Sequence, residues 1–393
     1  MDVQTAFSRL ARVEVHGDIL DIYRYDFSLI PKPLQRFVKK PLLVVQPSKV
    51  EDLFRILELC EKFDLPIVPR GSATSAYGGC VPLEECVVVD LKRISNFYFQ
   101  NDSVVAESGA IWADIERQAN RIGKALRVYP TSALVSTVGG WIAQGGYGVG
   151  SLRYGGIKDN LEWIEVVDFK GLKVVKGDEL ERYVGAFGTT GLIVRACVKL
   201  RKNSELRAEA FECEFCDAVS KIRDSYHATF KDSRLMRMEG YDTKDTLLLC
   251  SEEIDGNELG AKMWANRLTP LRAVSVGKRV FSEVVVPYEK AAEFYEEAKK
   301  VTEGIEAVFS KDCVVFIGCF SAGYRNMLKA LKFVKIAEKF RGKIYATGML
   351  FTHKSSRELR KFKKEVDPRG LFNPKKIDSN VFSKIIGFLV RLL

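Results

Sequence analysis

The chain of 393 residues is 47% hydrophobic, 11% aromatic and 28% charged, with 30 Gly and 12 Pro, a composition that excludes collagen-like, disordered and disulfide-stapled classes. Its length predicts about two or three domains with sizeable cores. Of the net charge of +10, the segment Lys354 to Leu393 carries +7, with eleven basic residues against four acids. The excess is therefore a C-terminal feature, unlike the groove with interleaved aromatics of a nucleic-acid enzyme, and no nucleic-acid partner is expected.

The N-terminal MDVQTAFSRLARVEV lacks the apolar core of a secretory signal, and the nine Cys are scattered, so a cytoplasmic protein is predicted. No apolar run reaches about 18 residues, so no span of a bilayer is expected. Cys213 and Cys216 form a lone CxxC without a second pair or a His, and are read as buried small residues; no metal site is expected.

From Leu42 to Leu91 the pattern reads strand (LLVVQP), amphipathic helix (KVEDLFRILELCEKF), strand (PIVP), Gly-rich turn and strand (VVVDL), which is α/β grammar. A second unit follows: the strand SVVAESG, the helix IWADIERQANRIG, a Gly-rich stretch from Val138 to Gly156, the strand LEWIEVVDF and the segment GAFGTTGLIVRACVKL. Leu200 to Ala208 is short and polar, a domain boundary. Beyond it FECEF, a helix DAVSKIRDSYHATF, LLLC, VFSEVVVP, a helix EKAAEFYEEAKKV, VVFIGCF and a helix NMLKALKFVKIAEKF alternate again, predicting a smaller α+β domain. The predicted boundaries are 1–203, 204–377 and a tail, 378–393. In the tail, SNVFSKIIGFLVRLL reads as a helix with Asn380, Ser383, Lys384, Gly387 and Arg391 on one polar stripe. Its apolar face, with Phe382, Ile385, Ile386, Leu389 and Leu393, is expected on a peripheral membrane surface or an apolar partner.

Two stretches suit a flat anionic ligand. In Arg70-Gly71-Ser72-Ala73-Thr74-Ser75, followed by Gly78, small residues let backbone N–H groups converge and the hydroxyls add donors, as a pyrophosphate requires. Ala73 stands where a nucleotide-fold GxGxxG would place its second spaced Gly, which disfavours a nicotinamide fold. In Thr137 to Gly156 the glycines, with Trp141, Tyr147 and Tyr154 among them, imply close approach of backbone to a flat ligand.

With Gly188-Thr189-Thr190-Gly191-Leu192-Ile193-Val194 and Val366 to Ile377 (VDPRGLFNPKKI) added, the chain resembles the vanillyl-alcohol oxidase type of FAD-dependent oxidoreductases, and within it the FAD subunit of glycolate oxidase and D-lactate dehydrogenase. The likeness is colinear from about Tyr25 to Ile377, through YRYD, PRGSATS, PTS, TVGG, RYG, GTTGLI and DPRGLFNPKKI. It implies an α+β protein with a two-subdomain FAD-binding domain and a substrate-capping domain. Carried over by residue, Arg70, Gly71, Ser72, Ala73, Thr74, Ser75 and Gly78 cradle the pyrophosphate. Pro130, Thr131, Ser132, Thr137, Gly139, Gly140, Gly146, Tyr154 and Gly155 line the ribityl chain and ring, and Gly191 and Ile193 the adenine half. No His stands in the pyrophosphate loop, which implies non-covalent FAD.

The implied activity is dehydrogenation of a small 2-hydroxy acid or related alcohol, with electrons leaving to an iron–sulfur or membrane acceptor and not to NAD. The family's His motifs are absent, since only His16, His227 and His353 occur. By this map Arg325 is expected to hold the carboxylate and His353 to act as base, with Tyr324 beside Arg325 as the third candidate catalytic residue. The alternative is an FAD-binding electron-transfer subunit without substrate chemistry.

Overall fold

In a computed structural model, which describes residues 2–10, 13–16, 18–222, 224–268 and 279–392, three sheets follow one another along the chain. The first holds β1 (Val13–His16), β2 (Leu43–Pro47), β3 (Ile67–Arg70) and β4 (Val87–Asp90) in the order β1-β2-β4-β3. β2, β4 and β3 are parallel. Leu43, Val45, Val87 and Val89 meet the helix Val50–Lys62, while Val44, Val68 and Val88 face a second cluster. Burial on both faces explains why these strands read as unbroken Val/Leu runs.

The second sheet contains β5 (Phe97–Gln100), β6 (Ser103–Glu107), β7 (Lys124–Leu126), β8 (Leu161–Asp168), β9 (Gly171–Lys176) and β10 (Leu192–Lys202), in the order β5-β6-β10-β8-β9 with β7 beside β10. Its face packs on the helices Trp112–Arg121 and Val138–Gln144, where Trp112 and Trp141 meet edge to face at 5.2 Å. Part of the Gly-rich stretch is thus a buried helix, capped by Thr137, whose hydroxyl accepts from the Gly140 N–H at 3.3 Å. That contact satisfies a donor the first turn would otherwise leave open.

The third sheet is antiparallel: β11 (Arg207–Glu212), β12 (His227–Lys231), β13 (Thr246–Ser251), β14 (Arg279–Pro287), β15 (Gly304–Phe309), β16 (Cys313–Ser321) and β17 (Lys343–Ile344), in the order β11-β13-β12-β15-β16-β14-β17. Val284, Val286, Phe316 and Phe320 form one face and bury Phe294 and Phe333 of the helices Tyr288–Ala298 and Tyr324–Lys339. The residues between them on β14 and β16 point the other way, by the two-residue period of a strand. One predicted helix is corrected here. The segment from Asp217 to Phe230 is helical only within Phe215–Lys221, and His227–Lys231 is a strand between β13 and β15. Pairing on both sides outweighs the weak helical preference of this segment.

The predicted second boundary also moves. Met349 packs with Ile30, Val38 and Val81, Phe372 joins the core of the first sheet, and Ile67 bridges Phe372 in parallel. The chain therefore returns to the first domain well before 377. The tail helix Val381–Leu392 also docks on the protein: Phe382 reaches Ile30 and Met349, and Ile386 and Val390 pack on Leu331. The apolar face expected on a lipid or partner surface is in large part used internally, leaving Phe388 and Leu392 exposed, and Leu393 lies outside the described residues. All nine cysteines are free, with Cys213 buried and Cys216 exposed.

Candidate active site

Beyond Arg70 the chain leaves β3 as a loop whose turn requires Ala73 at φ 56°, a left-handed conformation that costs a non-glycine residue about 1–2 kcal/mol. The Ala73 carbonyl accepts from Phe27 at 3.2 Å, and the Arg70 guanidinium props the loop on the carbonyls of Tyr23 and Tyr25. Among the described residues, no protein acceptor takes the N–H groups of Ser72, Ala73, Thr74 and Ser75. All four residues line a cavity of about 330 Å³.

The opposite wall is backbone. A Cβ on Gly71 would stand 2.2 Å from Thr137 Oγ1, and one on Gly139 only 1.9 Å from Ser108 Oγ. Gly140, Trp141, Pro130, Thr131, Ser132, Gly191 and Ile193 continue that lining. Unpaired N–H donors at one end and close, side-chain-free backbone further on fit a flavin dinucleotide.

Four of the expected cofactor residues do not line the cavity and act at one remove. Gly78, at φ 70°, has Met349 packed where its side chain would be. Gly146 leaves room for the Tyr345 hydroxyl, 2.3 Å from the place of a Cβ. Gly155 receives the Asp159 carboxylate in the same way, and Tyr154 packs on Tyr226 with ring centroids 6.3 Å apart.

The segment DPRGLFNPKKI is a clasp behind the cofactor loop. Asn373 donates to the carbonyls of Gly79 and Phe187 at 2.8 and 2.6 Å, and Lys376 to those of Gly78 and Val81 at 2.7 and 2.6 Å. Burial lowers the Lys376 pKa to about 8, against the pull of Asp26. Asp367 pairs with Lys363 and accepts the N–H groups of Leu371 and Phe372.

The far end of the cavity is floored by the third sheet, through Thr229, Lys231, Glu306, Val308, Ile317, Phe281 and Glu283. The Tyr77 hydroxyl donates to Glu283. Tyr345 accepts from the Tyr147 N–H at 3.0 Å and donates to the Tyr147 carbonyl at 3.2 Å, with its ring 6.1 Å from that of Tyr77. Burial raises the Glu283 pKa to about 7, opposed by the Tyr77 hydrogen bond and reinforced by Glu306. Lys231 donates to both oxygens of Glu239 at 2.8 Å and lies 3.8 Å from Glu306. A carboxylate held near neutrality beside the cofactor wall is suited to proton transfer.

The three residues expected to act on substrate are not here. Tyr324 and Arg325 open the helix Tyr324–Lys339, which covers the opposite face of the third sheet, and both are exposed. His353 is exposed in the turn Thr352–Lys354, beside Phe351. Without the family's motifs, position along the chain had stood in for geometry. Glu283, Tyr77 and Tyr345 were missed because they come from three distant segments; the one local signal was a lone acid inside VFSEVVVP.

Residues 41–176 match the family described as FAD binding domain. The glycolate oxidase subunit GlcD of Bacillus subtilis (strain 168) is 31% identical over 199 residues, 47% of this chain and 41% of that protein. The alkyldihydroxyacetonephosphate synthase of Trypanosoma brucei brucei is 24% identical over 88% of this chain and 58% of its own length. The D-lactate dehydrogenase of Archaeoglobus fulgidus is 30% identical over 46% and 43%. The chain thus spans 41% to 58% of these curated relatives. Among solved structures, an alkyldihydroxyacetonephosphate synthase aligns with a TM-score of 0.73 at 19% identity, over 92% of this chain and 83% of that one. A Physcomitrella patens BBE-like 1 variant aligns with a TM-score of 0.70 at 12% identity, over 97% and 100%. These likenesses establish the fold.

Proposed function

From the premise that this chain carries an FAD binding domain over residues 41–176, we propose that it is an FAD-dependent dehydrogenase that oxidises the CH–OH group of a small 2-hydroxy acid and passes the electrons to an acceptor other than NAD. One observation carries the reading. The cavity continues from the pyrophosphate-type loop to a floor of the second domain that presents Glu283, a buried carboxylate with a pKa near 7.

Ser72, Ala73, Thr74 and Ser75 would hold the pyrophosphate, and Gly139, Gly140 and Trp141 the wall beside the ring. With no His in the loop, attachment is non-covalent. Bound FAD supplies a hydride acceptor. Glu283, as carboxylate, takes the hydroxyl proton while the C–H bond breaks and the C=O bond forms. Tyr77 orients that carboxylate by donating to it, and Tyr345, locked on the Tyr147 backbone, closes the side of the site and limits entry of water. A plain electron-transfer subunit has no use for such a chamber, although an iron–sulfur subunit remains a partner compatible with this chemistry.

The test is anaerobic mixing of the yellow protein with glycolate, D-lactate and longer 2-hydroxy acids. Bleaching of the flavin band by at least one of them is expected. Bleaching by none, with a flavin that dithionite still reduces, favours the electron-transfer reading.

A further inference from the structure

The registers of the third sheet map the cavity floor residue by residue. Glu283 pairs with Ile317, Ile317 with Glu306 and Glu306 with Lys231, so the four form one row across β14, β16, β15 and β12 on the face that lines the cavity. At about 4.8 Å per strand, Ile317 is the immediate neighbour of Glu283, while Glu306 stands about 10 Å and Lys231 about 14 Å along the row. The next row on one side holds Val285 and Val315, both buried with Tyr147 and Tyr345 packed on them. The next row on the other side holds Phe281 and Cys319. From Cys313 to Phe320 only Ile317 is not buried, and Phe281 is likewise half-buried. Ile317 and Phe281 therefore present apolar surface to the chamber directly beside Glu283.

Among the described residues three Lys and Arg side chains line the cavity, Arg70, Lys231 and Arg267, and none adjoins Glu283. Arg70 braces the cofactor loop. Lys231 is held by Glu239 and Glu306. Arg267 lies over Trp264, next to His227, which is three strands across and four residues along from Glu283. A carboxylate one carbon from a hydroxyl that meets Glu283 reaches none of the three. Turned toward the floor, it would face Glu283 and Glu306, groups of its own sign in a buried site. The group that suits the floor beside Glu283 is apolar, since it takes the exposed surface of Ile317 and Phe281 out of water.

Resting on the dehydrogenase reading above, we propose that Ile317 and Phe281 receive the substituent on the carbinol carbon, so that the enzyme selects 2-hydroxy acids with a bulky apolar side chain over glycolate and D-lactate. The carboxylate then turns away from the floor. Ile317 is the central contact, because it stands directly opposite Glu283 and side chains so paired are about 5 Å apart at Cβ. Phe281, two residues from Glu283 on the same strand and face, bounds the pocket on the side away from Tyr147 and Tyr345.

The test has two arms on the same holoprotein. Anaerobic flavin reduction is timed with glycolate, D-lactate and D-2-hydroxy-4-methylpentanoate, and the second-order rate constant should rise about hundred-fold from the first to the last. Separately, the oxidised holoprotein is titrated with pyruvate and 4-methyl-2-oxopentanoate, following the flavin spectrum, and the branched oxo acid should bind about ten-fold or more tightly without any turnover. Ile317→Ala and Phe281→Ala should each cut the preference about ten-fold at unchanged flavin content, leaving the rate with glycolate close to wild type. Values that do not rise with side-chain size, or a preference that both variants retain in full, overturn the pocket and leave the dehydrogenase reading intact. Reduction by none of the acids, with the oxo acids still ranked, overturns that reading and not the pocket. Oxo acids that bind equally or not at all overturn the pocket. Should Phe281→Ala fail to load flavin, Phe281→Leu and the Ile317 variant decide.

Discussion

Tyr77 and Glu283 are joined by a hydrogen bond across 206 positions of sequence, the tyrosine hydroxyl from the cofactor-side loop donating to a carboxylate on the floor of the second domain. The bond ties the two halves of the cavity together and partly offsets the effect of burial on the glutamate. Removing the donor should therefore raise the Glu283 pKa. In Tyr77→Phe, the pH at which flavin reduction reaches half its maximum should move to the alkaline side of the wild-type value. An unchanged midpoint would show that the bond does not act on the base.

Close approach makes Gly139 more sensitive than Gly140, since its Cβ position is 1.9 Å from Ser108 Oγ and 2.9 Å from Ser108 Cβ, whereas that of Gly140 meets only Thr137 Oγ1 at 2.8 Å. Gly139→Ala should lower bound flavin per chain and cost about 1–3 kcal/mol of stability through overpacking. Gly140→Ala should be milder in both. Quantifying released FAD after acid precipitation, with a thermal melt of each variant, distinguishes the two.

The clasp predicts a stability effect without chemistry. Lys363 and Asp367 are both almost fully buried and pair with each other, and Lys363 also donates to the carbonyls of Thr189 and Phe372 at 2.7 Å. Lys363→Met leaves an uncompensated buried carboxylate and should cost about 3–5 kcal/mol, read as a lower denaturation midpoint. A wild-type midpoint would mean that the segment is not held this way.

For the tail, Phe382 is the anchor, 1% exposed and edge-on to Phe37 with centroids 6.2 Å apart. Phe382→Ala should destabilise by about 3–5 kcal/mol, measured by urea unfolding. A change below about 1 kcal/mol would return this helix to the role of a surface element.

How much of this was legible in the sequence follows from how local each feature is. The loop 70–75 and the turn at Thr137 to Gly140 are contiguous motifs whose small residues announce backbone contact, and that they line one cavity could be read without coordinates. Gly155 and the DPRGLFNPKKI segment carried the resemblance, and Gly146 was given a role by it, but all three lie behind the cavity wall as supports, because the motif and its contact are different things. His227 was read within a helix since Asp217 to Phe230 has a weak helical period. In the fold, Ala228 and Phe230 face the core while His227 and Thr229 face the cavity, an alternation visible only once β13 and β15 flank it. Glu283 offered only the lone acid inside VFSEVVVP, which by itself does not tell a base from a surface charge.

The most direct test of the account is the anaerobic rate of flavin reduction by a 2-hydroxy acid, measured from pH 5 to 9 in wild type and Glu283→Gln at equal flavin loading. Burial raises the folded pKa of this acid, so the ionised base is absent below the midpoint and present above it. The wild-type rate should climb through an apparent pKa near 7. The glutamine variant should lose about 10²- to 10⁴-fold together with the pH dependence. A variant that is reduced at the wild-type rate, or that keeps the same rise through neutrality, would contradict the assignment of Glu283 as the base.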